Sequence, residues 1–148
     1  GHLALTQEAV DEKGLPVTMK SREEVFREAD IISLHLRATP ETENSINREV
    51  IAMMKPTAYL INTSRAKVLD KEALVDALER KAIGGAALDV YWNDPILKLD
   101  NITLTPHNAG NVVDALPKSP RLLVGTINDF WKTKKSDMVV NLKQITLD

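Results

Sequence analysis

The sequence predicts an α/β fold in which helices pack against a parallel β-sheet. Two observations support this prediction. Four short segments are apolar without interruption, which is typical of strands buried on both faces of a parallel sheet. Segments with apolar residues at helical spacing separate these strands, as in a series of β-α-β units. The 148 residues suffice for one domain with a substantial core.

The first half of the chain alternates between helix and strand. Ser21, followed by Glu23 and Glu24, predicts a helix start, because a capping hydroxyl and acidic side chains favour a helix N-terminus. The predicted elements, in order, are a helix at 21–29, a strand at 29–36, a helix at 46–55 and a strand at 57–64.

The next helix is predicted to begin at Asp70 as its N-cap and to end at Gly84, with Arg80 and Lys81 in its last turn. Gly84 and Gly85 are interpreted as the stop of this helix, which leads directly into a strand. Two further strands are predicted at 84–91 and 101–107.

The pattern changes after His107. Gly110, Pro117 and Pro120 exclude one undisturbed helix and predict a turn or a short broken helix. A last helix is predicted at 121–133, followed by an extended tail at 138–148.

Composition excludes several classes of function. The 19 Lys and Arg against 21 Asp and Glu give a net charge of -2, and no basic segment is interleaved with aromatics, so we expect no nucleic-acid partner. There is no apolar run long enough to span a bilayer, so we expect a soluble protein without a membrane partner. The absence of cysteine excludes thiol chemistry and fits a cytoplasmic location, and we expect no metal site.

Polar side chains follow each predicted strand. His35 ends the first strand, Arg65 follows the second, Asp89 ends the third with Asp94 in the loop after it, and His107 ends the fourth. Ligands of open parallel sheets bind outside the carboxyl ends of the strands. Any one of these residues could simply meet solvent, but an arginine, two acids and a histidine at one edge form a specific chemical set.

This set is suited to acid substrates with a carbonyl group. Arg65 could bind a carboxylate through two parallel hydrogen bonds and polarise a neighbouring carbonyl. His107 could exchange a proton with the carbonyl oxygen, although a hydrogen-bonded loop histidine explains its position equally well. Asp94 could orient the imidazole and favour its protonated form.

The segments "ADIISLHLRATPET", "INTSRAKVLDKEALVDAL", "GGAALDVYWNDP" and "LTPHNAG" resemble the D-isomer-specific 2-hydroxyacid dehydrogenases. The resemblance implies a Rossmann-like doubly wound parallel sheet and an NAD-dependent, or NADP-dependent, interconversion of 2-oxo acids and D-2-hydroxy acids. In that family, the matching residues bind the substrate (Arg65), orient the histidine (Asp94) and donate the proton (His107).

The resemblance also implies a cofactor site and a typical assembly. We expect the cofactor to be lined by His35, Leu36, Arg37, Thr63, Ser64, Asp89, Asn108 and Gly110. Of these, Asp89 matches a residue that commonly meets the nicotinamide carboxamide. The expected partners are a small 2-oxo or 2-hydroxy acid and a second copy of the chain in a homodimer.

The sequence departs from the family at Asp94, where glutamate is usual, at Ala66, at Asn108 in "HNAG", and in its glycine spacing. The family prefers glycine after the arginine, so Ala66 is expected to be strained if that position requires positive φ. No two glycines are spaced as G-x-G, so the loop that binds the pyrophosphate is missing. We therefore expect a fragment that binds NAD(H) poorly and is inactive alone, with a partial nucleotide-binding domain at 1–135 and an extension at 136–148 towards the absent substrate domain.

Two alternatives remain open from the sequence. One is a non-catalytic binding or co-repressor-like protein on the same fold, since some such proteins keep the same residues. The other is a flavodoxin-like module that is complete at this length, which would need a phosphate-binding loop that the sequence does not show.

Overall fold

The structure is a computed structural model that describes residues 6–92, 95–115 and 117–134. The chain divides into two compact units, one that ends at His107 and one that begins at Asn108. The predicted boundary between residues 135 and 136 stays a prediction.

The first unit contains all four predicted strands, each shorter than predicted. In chain order its helices and strands are α1 (Gln7–Glu12), α2 (Arg22–Glu28), β1 (Ile31–Leu34), α3 (Arg48–Ile51), β2 (Tyr59–Asn62), α4 (Lys71–Glu79), β3 (Gly85–Leu88) and β4 (Ile102–Leu104). Short 3₁₀ turns lie at Ala66–Val68 and Pro95–Lys98. The α/β class is confirmed, while α1 was not predicted.

The strands form one parallel sheet in the order β1-β2-β3-β4. A single row of paired residues crosses its carboxyl edge, from Leu34 through Asn62 and Leu88 to Leu104. The residues that follow each strand therefore emerge side by side, as the sequence predicted.

One face of the sheet carries the core. Strand order equals chain order, so right-handed crossovers place α3 and α4 on the same face. Leu60, Leu74 and Leu78 are almost fully buried there. On the other face, Ile31 and Tyr59 are 65% and 52% exposed, so within the described residues these strands are covered on one side only.

Helix starts agree with the sequence better than helix ends do. Ser21 and Glu24 form the capping box of α2, and the Asp70 carboxylate caps α4 by accepting from the Ala73 N–H at 3.0 Å. The α3 helix is shorter than the predicted 46–55 and is capped by Asn47.

The predicted end of α4 at Gly84 is wrong. The helix stops at Glu79, and Lys81 takes the left-handed conformation at φ 53° while the Ala82 N–H donates to the Ala77 carbonyl at 2.8 Å. This is a Schellman-type end made without glycine. Gly84 serves close packing instead, since a Cβ there would lie 2.7 Å from the Thr57 carbonyl oxygen.

The second unit contains α5 (Lys118–Thr133), which begins three residues before the predicted start. Pro120 lies in its first turn, where a missing N–H leaves no intrahelical bond unmade, so proline does not break the helix. The predicted tail at 138–148 lies outside the described residues. No helix in the described part of the chain is long and apolar enough to cross a membrane.

Candidate active site

Two neighbouring cavities open at the carboxyl edge of the sheet in the first unit. The first, about 340 Å³ in volume, is lined by Arg65, Asp89, Tyr91 and His107 among others, and we call it the β3–β4 cavity. The second, about 390 Å³, is lined by residues 35–38 together with Ser64 and Arg65, and we call it the β1–β2 cavity. Arg65 lines both cavities.

A tight turn places Arg65 after β2. The Asn62 side chain is fully buried and holds this turn from inside. Its Nδ2 donates to the Arg65 carbonyl at 2.9 Å, and its Oδ1 accepts from the Ser64 N–H at 2.9 Å and from the Ser64 hydroxyl at 2.8 Å. Because all three bonds lie within residues 62–65, the amide fixes where the Arg65 side chain begins.

The Arg65 guanidinium is available for a ligand. The side chain is exposed, and its Nη1 donates to the Ser64 carbonyl at 2.7 Å. Among the described residues it forms no ion pair. A guanidinium without a carboxylate partner at a cavity wall is suited to binding an anion from solution.

Ala66 does not carry the strain that the sequence suggested. The residues other than glycine with positive φ in the described chain are Asn44, Lys81, His107 and Lys134. Ala66 instead begins the 3₁₀ turn that buries Val68, after an extended Arg65 at φ −147°. An alanine is therefore compatible with this backbone.

Asp89 connects three strands at the same edge. Its side chain is only 4% exposed, and one carboxylate oxygen accepts a 2.6 Å hydrogen bond from the Thr105 hydroxyl after β4. Its backbone N–H donates to the Asn62 carbonyl at 3.0 Å. A buried carboxylate is costly without such partners, so this contact matters for the fold as well as for the site.

His107 is exposed at the cavity wall and has a left-handed backbone with φ 54°. Its N–H donates to the Thr105 carbonyl at 2.9 Å, which closes a tight turn around Pro106. Positive φ is uncommon outside glycine, and such residues cluster at functional sites. The turn presents the imidazole to the same cavity that Arg65 lines.

The β1 end is built differently. His35, Leu36, Arg37 and Ala38 are all exposed. The His35 ring nitrogen Nε2 lies 2.9 Å from the Ser33 hydroxyl. The Arg37 carbonyl accepts from the Thr42 hydroxyl at 2.6 Å, and among the described residues its guanidinium forms no ion pair.

Three further predicted residues lie in the described part of the chain, namely Thr63, Asn108 and Gly110. Thr63 is exposed and lines neither cavity. Asn108 and Gly110 belong to the second unit, where their carbonyls accept from the N–H groups of Asn111 and Val112. Asp94 lies outside the described residues.

Sequence reasoning missed two polar residues that shape the edge, Asn62 and Thr105. The available signal for Asn62 was an amide at the end of the apolar run "AYLIN". For Thr105 there was no local signal, because its partner Asp89 lies 16 residues away.

A family model described as "D-isomer specific 2-hydroxyacid dehydrogenase, NAD binding domain" matches residues 3–109. The chain is 39% identical over 149 residues to a D-3-phosphoglycerate dehydrogenase of Synechocystis sp., with 97% of this chain and 26% of the relative covered. It is 44% identical over 141 residues to a glyoxylate reductase of Pyrococcus horikoshii, with 92% and 42% covered.

Among solved structures, the chain is similar to the NAD-complexed D-isomer specific 2-hydroxyacid dehydrogenase of Lactobacillus delbrueckii ssp. bulgaricus. The TM-score is 0.80 and the identity 28%, with 94% of this chain and 46% of that chain covered. This chain therefore spans less than half the length of each of these three proteins.

Proposed function

The chain belongs to the D-isomer specific 2-hydroxyacid dehydrogenase family, in its NAD-binding domain, and from this premise we propose that the full-length protein is an oxidoreductase. It interconverts a 2-oxo acid and the D-2-hydroxy acid with NAD(H) or NADP(H). The observation that carries the proposal is that Arg65 and His107 line one cavity at the carboxyl edge of the sheet.

Arg65 binds the acid substrate in this proposal. Its planar guanidinium can donate two parallel hydrogen bonds to the substrate carboxylate. The same cation lies close to the adjacent carbonyl oxygen and stabilises the negative charge that develops there during reduction.

His107 is the proton donor for reduction and the proton acceptor for oxidation. An imidazole changes its charge near neutral pH and can deliver a proton to the carbonyl oxygen as it becomes a hydroxyl. Its exposed position at the cavity wall gives it access to a bound acid. Asp94 remains the proposed partner that orients the imidazole.

The residues present fit part of a dinucleotide. The two adjacent cavities share Arg65, so an extended ligand can reach from one to the other. In this proposal, residues 35–37 and Ser64 hold the cofactor in the β1–β2 cavity, where Arg37 supplies positive charge for phosphate groups. Asp89, which lines the β3–β4 cavity, meets the carboxamide. When bound, the nicotinamide supplies the hydride to C2 of the oxo acid or takes it back.

The proposal includes three further parts. Thr63, Asn108 and Gly110 contribute to the cofactor site, the protein is a cytoplasmic homodimer, and the 148-residue chain alone binds NAD(H) poorly and is inactive. The last part follows from the missing G-x-G spacing, which removes the usual pyrophosphate loop. Tight NADH binding to this chain in calorimetry would contradict it.

The direct test is a spectrophotometric assay of the full-length protein with NADH and NADPH. The panel comprises glyoxylate, hydroxypyruvate, pyruvate and phosphohydroxypyruvate, with the matching aldehydes as controls that lack the carboxylate. We expect oxidation of the cofactor with at least one 2-oxo acid and none with the aldehydes. Cofactor binding without turnover of any acid would instead favour the non-catalytic, co-repressor-like function.

A further inference from the structure

Asn62 is an exception in the row of residues that closes the sheet. The other residues in this row are all leucines, Leu34, Leu88 and Leu104. A leucine at position 62 would bury more apolar surface, whereas a buried amide must find hydrogen-bond partners to avoid a free-energy cost. The choice of asparagine therefore points to a task other than packing.

The hydrogen bonds of the Asn62 side chain are all local and all directed to the turn. The side chain is 0% exposed, so no water competes for these bonds. Both acceptor sites of Oδ1 are used by Ser64, and Nδ2 donates to the Arg65 carbonyl at 2.9 Å. Aspartate could replace only the acceptor, because an ionised carboxylate has no donor.

We propose that Asn62 is a positioning residue that fixes the turn at residues 62–65 and thereby directs the Arg65 guanidinium towards the substrate carboxylate. This inference rests on the proposed function of Arg65. Asn62 does not touch the substrate and acts through the backbone of Arg65. A misplacement of a binding group by about 1 Å lowers the rate by roughly 100-fold in well-studied enzymes.

The test uses Asn62→Asp in the full-length protein, because this change keeps the volume and removes the donor to the Arg65 carbonyl. We expect kcat/KM for the 2-oxo acid to fall roughly 10- to 100-fold. The KM for the cofactor should change by a smaller factor, because aspartate keeps the Oδ1 acceptor that holds Ser64 and loses the donor to the Arg65 carbonyl. A change confined to the KM for the cofactor, with kcat/KM for the 2-oxo acid unchanged, would overturn the proposal.

Ile83→Val is the matched control for stability. Ile83 is 2% exposed in the core and lies in neither cavity. It should lower the melting temperature without changing the substrate KM. If the role of Asn62 is purely structural, Asn62→Asp and Ile83→Val will both lower the melting temperature and leave the substrate KM unchanged. That result would also overturn the proposal.

A double-mutant cycle separates this inference from the proposed function. In an Arg65→Gln background, Asn62→Asp should cause almost no further loss of kcat/KM, because its effect passes through Arg65. If the two losses of kcat/KM instead multiply in the double variant, Asn62 acts independently of Arg65. If Arg65→Gln alone leaves activity unchanged, the proposed function of Arg65 fails, and the positioning role fails with it.

If Asn62→Asp does not fold, Asn62→Ser provides the second variant. Serine keeps a small polar side chain and cannot reach both Ser64 and the Arg65 carbonyl. We expect the same selective fall in kcat/KM for the 2-oxo acid. A folded Asn62→Ser protein with normal kcat/KM for the 2-oxo acid would contradict the proposal.

Discussion

The two cavities at the carboxyl edge of the sheet share Arg65 and differ in how their remaining walls are held. Around the β3–β4 cavity, the turns that present Arg65 and His107 are tied to Asn62 and Asp89, which are 0% and 4% exposed. Around the β1–β2 cavity, residues 35–38 are all exposed, and their hydrogen bonds use surface hydroxyl groups.

This difference separates two requirements of the proposed reaction, which would use a large cofactor and a small acid. Groups that act on the reacting atoms must be held in one geometry, and buried hydrogen bonds provide that because breaking them leaves a desolvated polar group. Groups that hold the far part of a dinucleotide can adjust to the ligand. We therefore expect substitutions around the β3–β4 cavity to cause large losses of activity or stability, and substitutions around the β1–β2 cavity to cause small ones.

The largest expected effect comes from comparing the two histidines. His107→Asn keeps a side chain that tolerates positive φ, so it removes the proton donor without adding backbone strain. We expect kcat of the full-length protein to fall by roughly 10²- to 10⁴-fold. The measurement is steady-state oxidation of NADH with the preferred 2-oxo acid.

His35→Asn is the matched variant at the other cavity. It removes only the contact with the Ser33 hydroxyl, so its effect should be limited to a few-fold change in the cofactor KM, within about 1 kcal/mol. Similar losses of kcat in both variants would remove the distinction between the cavities. Circular dichroism before and after heating checks that both variants fold.

A smaller effect is expected in a comparison of two threonines. Thr105→Val removes the hydroxyl that donates to the buried Asp89 carboxylate, and we expect a loss of about 1–3 kcal/mol in the free energy of unfolding. Thr42→Val removes a bond of the same length, 2.6 Å, to the neutral Arg37 carbonyl, together with the 2.8 Å bond that the same oxygen accepts from the backbone N–H of Thr39.

The Thr42 variant should cost about 0.5–1.5 kcal/mol, because a neutral acceptor nearer to solvent forms the weaker bond. Urea denaturation measures both values. Equal losses of unfolding free energy, or a larger loss for Thr42→Val, would show that the buried Asp89 carboxylate does not strengthen the walls of the β3–β4 cavity.

Local sequence signals predicted much of this arrangement. Ser21 and Asp70 cap helices through bonds to residues three positions away, so their role is readable in the chain. The shared edge of Arg65 and His107 followed from the parallel strands alone. Both kinds of inference depend on rules that hold without knowledge of packing.

Other features of the structure could not be predicted from such local rules. Lys81, rather than glycine, takes the left-handed helix end, because the two bonds of that turn form whichever residue is there. Ala66 needs no positive φ, which only the path of the turn after β2 reveals. The roles of Asn62 and Thr105 depend on burial and on distances in three dimensions, and no spacing pattern encodes these.

The smallest expected effect tests the charge of the β1–β2 cavity. Arg37→Gln removes an exposed guanidinium that forms no ion pair among the described residues and keeps a polar side chain of similar length. We expect the cofactor KM of the full-length protein to rise a few-fold while kcat stays unchanged, since an exposed cation contributes roughly 1 kcal/mol or less to binding a phosphate.

Because exposed charges are screened by salt, the difference in cofactor KM between wild type and Arg37→Gln should shrink as ionic strength increases. Arg27→Gln, in α2 and in the lining of neither cavity, is the charge-matched control, because Arg27 is also exposed and also forms no ion pair among the described residues. Two results would contradict this prediction: a loss of kcat with Arg37→Gln, or a difference in cofactor KM that does not respond to salt. Either result would mean that Arg37 is held in place as firmly as Arg65. Burial would then not explain the contrast between the cavities.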